Sequence, residues 1–199
     1  MSVPKDYTAY GIIDLIAHSL EAYFGKGEPA VIDEITFAII KDAINHGEKL
    51  LNNLDDYSLR EAIMLDATLA LNGLTVYGKF SGDWGVHSMG HEISLLFDTA
   101  HGATLSIAYP AWIKLHSDKI PERIIKLGKA LFGVDNVQDT ISELEKTFVR
   151  LQSPIRLSDI GLGEKDATAL LEQYNKNKIS GVHHSMEKSD YDKLVGFMR

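Results

Sequence analysis

The chain has 199 residues, with 28 acidic against 20 basic side chains and a formal net charge of -8. This charge would repel a phosphate backbone, so we expect no nucleic-acid partner. No apolar run approaches the roughly 20 residues that cross a bilayer, and the first residues lack a signal-peptide pattern, which predicts a cytoplasmic protein without a membrane partner. Cysteine is absent, so a transition-metal site would need histidine and carboxylate ligands.

Apolar residues recur at helical spacing almost throughout, and segments that alternate with a period of two are hard to find. The first helix is predicted over residues 8–24, and the second runs from Pro29 to about residue 50. A third helix is predicted over residues 56–79. Its long, weakly polar stretch contains small residues that allow close packing, which indicates a place at the centre of the core.

The fourth predicted helix contains GVHSMGHEISLLF, and the fifth starts near His101, where Pro110 should kink or end it. Shorter amphipathic helices are predicted at about 121–132, 136–151, 163–174 and 188–198. The loop 153–166 is the best internal break, but it is too short and apolar to be a flexible linker. We therefore predict an all-α fold, with one helical domain over residues 1–199 and no dinucleotide-binding glycine motif.

Asp14 and His18 lie four residues apart in GIIDLIAHSLEAYFG, so their side chains project from one face of the first helix. Alone, such a pair is more often a surface hydrogen-bonded pair than a metal site. The surrounding residues are apolar, however, and an aspartate buried without a partner or a cation would be costly. Glu21, three residues after His18, either orients a metal ligand or forms a salt bridge with a neighbouring lysine.

Three histidines lie in the segment GDWGVHSMGHEISLLFDTAHG. His87 and His91 share a helix face, whereas His101 lies beyond a loop. Each histidine alone is best interpreted as a hydrogen-bonded core residue, but the group of three favours a site for iron, zinc or nickel. A zinc-protease site is excluded, because Leu95 stands where HExxH requires its second histidine.

The combination of DxxxHxxExY, GDWxxHxxxHE and a following HG resembles the iron-containing alcohol dehydrogenase family, most closely its NADPH-dependent butanol dehydrogenase branch. The resemblance extends from about Ser2 to the C-terminus. It implies the helical C-terminal domain of the dehydroquinate synthase-like fold, and reversible hydride transfer between a small alcohol or aldehyde and NAD(P)H. In the family an α/β nucleotide-binding domain precedes this part, and we expect that N-terminal domain to be absent from the present chain.

The resemblance also implies roles for particular residues. Asp14, His18, His87 and His101 would hold one divalent metal ion, Fe²⁺ or, as in some members of the family, Zn²⁺ or Ni²⁺. His91 would lie beside the metal and the nicotinamide, where it supports the ligands or relays a proton in catalysis. NAD(P)H would bind only together with the α/β domain.

Four further residues are given no catalytic role. Asp83 and Trp84 match the GDW element of the butanol dehydrogenase branch, and packing and helix capping explain them most simply. His183 and His184 are predicted to lie in a solvated loop before the last helix.

Two other functions remain open at this stage. The chain could be a non-enzymatic metal-binding helical module that has lost its dehydrogenase partner domain. It could also belong to a related metal dehydrogenase with another substrate, such as glycerol, although the Asp-first ligand motif and the GDW element disfavour this. A homo-oligomer is compatible with either.

Overall fold

A computed structural model describes residues 2–199, and this range contains helices but no strand. Two short 3₁₀ turns, Leu74–Val76 and Leu157–Ile160, interrupt the α-helical elements. The α-helices are α1 (Lys5–Tyr23), α2 (Ala30–Leu50), α3 (Tyr57–Leu71), α4 (Gly85–Phe97), α5 (His101–His116), α6 (Pro121–Phe132), α7 (Val137–Arg150), α8 (Glu164–Asn177) and α9 (Lys188–Met198). The predicted all-α fold class is confirmed.

Helices α1 and α5 form the centre of the core. α5 has 13 of its 16 residues buried, and α1 has 12 of 19. α1 packs against α2, α3 and α5, while α5 also contacts α4, α7 and α9. Trp112 and Tyr109 of α5 and Tyr23 of α1 are among the largest fully buried side chains.

The prediction for the third helix is wrong in two respects. The helix ends at Leu71, because Gly73 adopts a left-handed conformation (φ 93°) that starts the short 3₁₀ turn. It is also peripheral, since it buries only Asp66 and Ala70 and leaves Met64 69% exposed. Its apolar residues surround the helix on all sides, so the sequence pattern did not indicate which face is covered.

Pro110 does not end the fifth helix, which continues to His116. A proline inside a helix removes one hydrogen bond and costs about 3 kcal/mol or more. Residues 102–113 are all buried, and this burial offsets the cost.

The division into domains remains a prediction. None of the described helices combines the length and apolarity needed to span a bilayer.

His116 makes the stability of this core dependent on pH. The residue has no exposed surface, its ring packs against Trp112, and within residues 2–199 neither ring nitrogen has a hydrogen-bond partner. Burial, assisted by the charge of Lys119, lowers the pKa of His116 to about 4. The unfolded chain takes up this proton near pH 6.5, so the stability present above that pH is lost as the pH falls towards 4.

We therefore expect His116→Phe to gain relative stability in acid. Between pH 7 and pH 4 the unfolding free energy of the variant should rise relative to that of the unchanged chain by up to about 3 kcal/mol. Urea denaturation of both proteins at both pH values measures this difference, and the contributions of other titrating groups cancel in it. An equal difference at pH 7 and pH 4 would mean that His116 does not titrate in this way.

Candidate metal centre

The four predicted metal ligands come from three helices. Asp14 and His18 lie one turn apart on α1, His87 lies in the first turn of α4, and His101 is the first residue of α5. Asp14 Oδ1 lies 3.7 Å from His18 Nε2, 3.8 Å from His87 Nε2 and 3.5 Å from His101 Nε2. The structure therefore brings the four side chains together around one carboxylate oxygen.

Three of the four form the tightest group. Ligand atoms of Asp14, His87 and His101 all lie within 4.8 Å of one another. His18 lies at the edge of this group, with its ring 4.5 Å from the ring of His87. These distances exceed hydrogen-bond length, so the side chains surround a shared point without bonding to one another.

The unsatisfied atoms of this group fit a cation. Asp14 Oδ1 and His87 Nε2 are buried, and within the described part of the chain neither has a hydrogen-bond partner. A buried polar atom without a partner costs free energy. A divalent metal ion between the two would satisfy both, and one carboxylate with three imidazoles is a ligand set that suits zinc, iron or nickel.

Glu21 fixes the orientation of His87. This carboxylate is 1% exposed, and its Oε1 accepts hydrogen bonds from the backbone N–H and from Nδ1 of His87, both at 3.0 Å. Its Oε2 accepts the backbone N–H of Trp84 at 2.6 Å. The alternative of a lysine salt bridge is therefore wrong. Because Glu21 accepts the proton on Nδ1, Nε2 is the ring nitrogen that faces the group, and it is the atom that would bind a metal once it has lost its own proton.

Burial and the neighbouring carboxylates together set the charges of the three histidines. Burial disfavours the imidazolium of His87, but Asp14 and Glu21 on either side overcome this effect and raise the pKa of His87 to about 9. Burial lowers the pKa of both His18 and His101, which keeps these two imidazoles neutral. Burial alone would raise the pKa of Asp14, but the three histidines, His87 first, lower it. At neutral pH the group thus contains an ionised Asp14, two neutral imidazoles and a protonated His87, whose Nε2 proton a bound metal would displace.

His91 lies beside the group rather than within it. Its side chain is exposed, and its ring stacks on that of His101 with centroids 5.0 Å apart and planes at 27°. The ring of His87 is 6.2 Å away. This position gives His91 access both to solvent and to a predicted ligand.

The GDW element forms the start of α4. Asp83 is fully buried and accepts the backbone N–H of Gly85. The N-cap of α4 is Trp84, and neither side chain caps the helix there. The same carboxylate accepts the backbone N–H groups of His183 and His184, each at 2.8 Å. Trp84 adopts a left-handed conformation (φ 63°) and places its ring edge against His87. A solvated loop at His183 and His184 is therefore wrong, since both are partly buried and tied to Asp83.

Gly102 explains why His101 can reach the group. A Cβ atom at this position would collide with the backbone carbonyl of Tyr10. Glycine therefore lets the first turn of α5 lie directly against α1, which carries Asp14 and His18. The HG pair in the sequence was a signal for this close approach, but the partner helix could not be identified from it.

Substitution of Glu21 by glutamine should weaken metal binding. The amide preserves the size of the side chain but removes the charge that orients and activates His87, and loss of such a partner costs about 10- to 100-fold in affinity. Zn²⁺ titration of the unchanged chain and of Glu21→Gln measures the effect, with the exposed Glu122→Gln on α6 as the matched control. Equal affinities for all three proteins would exclude an orienting role for Glu21.

Comparisons with known proteins show which family the chain is similar to. The profile of the Fe-containing alcohol dehydrogenase family, C-terminal part, matches residues 8–191. A probable NADH-dependent butanol dehydrogenase 2 of Bacillus subtilis is 31% identical over 100% of the chain and 53% of its own length. NADPH-dependent aldehyde reductase YqhD of Escherichia coli is 28% identical over 93% of the chain and 50% of its own length.

Solved structures agree with these sequence matches. The crystal structure of NADH-dependent butanol dehydrogenase A from Thermotoga maritima superposes with a TM-score of 0.92 and 29% identity, covering 99% of this chain and 53% of that one. The chain thus spans about half the length of the relatives it matches. Their names divide between NADH and NADPH, so a preference for NADPH remains a prediction. The family resemblance is confirmed, and the chain belongs to the Fe-containing alcohol dehydrogenase family, of which it represents the C-terminal part.

Proposed function

We propose that this chain is the metal- and substrate-binding half of an alcohol dehydrogenase that reversibly reduces small aldehydes with NAD(P)H. The observation that supports it best is the pair of buried atoms without partners, Asp14 Oδ1 and His87 Nε2, among four potential ligands. The half-length match to alcohol dehydrogenases agrees with this function.

We infer that Asp14, His18, His87 and His101 hold the metal, with Fe²⁺ as the expected ion and Zn²⁺ or Ni²⁺ as alternatives. Such a bound ion supplies Lewis acidity, which polarises an aldehyde carbonyl or lowers the pKa of an alcohol. The contribution of the chain is to keep the ligands preorganised: Glu21 holds His87 in one tautomer, and Gly102 lets His101 approach α1.

His91 is the proposed proton carrier of the site. Its exposed ring stacks on His101, so it can exchange a proton with solvent while it lies next to the place where substrate would bind. Trp84, 39% exposed, packs beside His18 and His87 and covers part of the same surface. This indole would exclude water from one side of the site.

The remaining parts of the reaction are assigned to the other half of the enzyme. NAD(P)H carries the hydride, and the family resemblance implies that the α/β domain binds it and positions it against the metal site. A cytoplasmic location is part of the proposal.

Metal content tests the ligand assignment. His87→Ala should lose one equivalent of iron or zinc, because it removes a central ligand and also leaves Asp14 and Glu21 without their shared partner. Elemental analysis after dialysis measures the loss, and His183→Ala, outside the group, should retain the content of the unchanged chain. His91→Ala should also retain it, and equal metal in the His87 variant would refute the assignment.

A further inference from the structure

A second group of side chains that could bind a metal lies between α2 and α3. Asp42 and His46 are one turn apart on α2, and Asp66 lies on the adjacent α3. One ligand atom from each residue lies within 4.8 Å of the other two. Asp42 Oδ2 and His46 Nδ1 are 3.0 Å apart. The group shares no residue with the site around Asp14.

Asp66 is the unusual member of this group. It is 4% exposed, although its helix otherwise buries only Ala70. Among residues 2–199 the buried Asp66 Oδ2 has no hydrogen-bond partner, and the buried His46 Nδ1 makes no well-aligned hydrogen bond to the Asp42 carboxylate 3.0 Å away. A carboxylate buried without a partner is unfavourable, so Asp66 in this position indicates a ligand.

The local charge points to a cation. Over the described residues, neither carboxylate has a lysine or arginine in ion-pair contact. Two close carboxylates without a basic partner other than His46 repel each other, and a divalent ion would relieve that repulsion.

We propose that Asp42, His46 and Asp66 bind a divalent transition-metal ion, with Zn²⁺ as the best fit. Zinc takes nitrogen and oxygen ligands at about 2.0–2.2 Å, which in a tetrahedral site places neighbouring ligand atoms about 3.3–3.6 Å apart. Asp42 and His46, now 3.0 Å apart, would need to separate by only a few tenths of an ångström. The imidazole favours zinc over magnesium or calcium. The side chain of Asp42 is 47% exposed, which leaves an entry path and room for a water ligand. The ion would link the peripheral α3 to α2.

Zinc binding in a chain that lacks the first site tests this proposal. In a His87→Ala background we expect one equivalent of Zn²⁺ to bind in the presence of excess Mg²⁺, as measured by isothermal titration calorimetry. Adding His46→Ala or Asp66→Asn should weaken that binding at least tenfold. Glu34→Gln, which removes an exposed charge two turns away on α2, is the matched control and should leave the affinity unchanged.

Thermal melting provides a second readout. Zn²⁺ should raise the melting temperature of His87→Ala but not that of the two double variants, because an ion that binds only the folded chain stabilises it. If Asp66→Asn does not fold, His46→Ala still tests the proposal. The His46 side chain is 28% exposed, so its replacement should leave the fold intact. Undiminished zinc affinity in His87→Ala/His46→Ala would overturn the proposal, as would the absence of any zinc binding in His87→Ala alone.

Discussion

Residues 1–199 alone are expected to show no measurable alcohol oxidation or aldehyde reduction, whereas the same chain joined to the α/β half of a close relative should be active. Hydride transfer requires a metal site, a nicotinamide and a surface that fixes the two in reacting geometry. Orientation of the reacting groups contributes on the order of 7–11 kcal/mol. A freely diffusing cofactor loses most of this contribution.

His101→Ala in the joined protein should reduce kcat/KM for a short aldehyde by about three orders of magnitude or more, which corresponds to about 4 kcal/mol. Cofactor binding, followed by fluorescence of the reduced nicotinamide, should be unchanged, because His101 lies with the metal ligands. His183→Ala serves as the control. Robust turnover by residues 1–199 alone, or a joined enzyme indifferent to His101, would contradict the dehydrogenase function. A joined protein that binds metal and cofactor but shows no dehydrogenase activity would instead favour the alternative function, a non-enzymatic metal-binding module.

Asp33→Ala is expected to destabilise the fold by about 3–5 kcal/mol, because it leaves buried cations without their counter-charge. Asp33 is fully buried and accepts hydrogen bonds from Arg123, from Lys126 at 2.7 Å and from Lys79 at 3.2 Å. Arg123 also stacks on the ring of Tyr23 with its guanidinium 3.5 Å from the centroid. Burial alone would raise the pKa of Asp33, but Arg123, Lys126 and Lys79 hold it well below the usual value.

Chemical denaturation of the unchanged chain and of Asp33→Ala measures this effect. Glu34→Gln, at the exposed neighbouring position, should stay within about 0.5 kcal/mol of the unchanged chain. The contribution of Asp33 is present above pH 3.8, its unfolded pKa, and is lost as the pH falls further through its lower folded value. A loss of less than about 1 kcal/mol at pH 7 would show that the cations find other partners or water.

The sequence predicted helices well where caps and breakers agree. Helix α4 coincides with GVHSMGHEISLLF, and α6 coincides with the predicted 121–132. It failed where the pattern was apolar on all sides, as in α3. Of the two outcomes predicted at Pro110, a kink or an end, the helix does not end, because burial compensates for the breaker. In both places long-range packing decides what the local sequence leaves open.

The candidate site was partly readable from the sequence. Four-residue spacing put Asp14 and His18 on one face, and the family motif implied that His87 and His101 would join them. The role of Glu21 could not be decided, because its partners are 63 and 66 residues away in the chain. Asp42 and His46 have the same spacing as Asp14 and His18, but the approach of Asp66 depends on the packing of α3 against α2.

Anomalous scattering from a crystal grown with Zn²⁺ would test the central metal site most directly. A peak at the zinc edge is expected about 2.0–2.2 Å from Asp14 Oδ1 and from Nε2 of His18, His87 and His101. Ordered side chains around Asp14 with no peak among them, or a peak that bonds neither His87 nor His101, would contradict the metal-binding function assigned to this half of the enzyme.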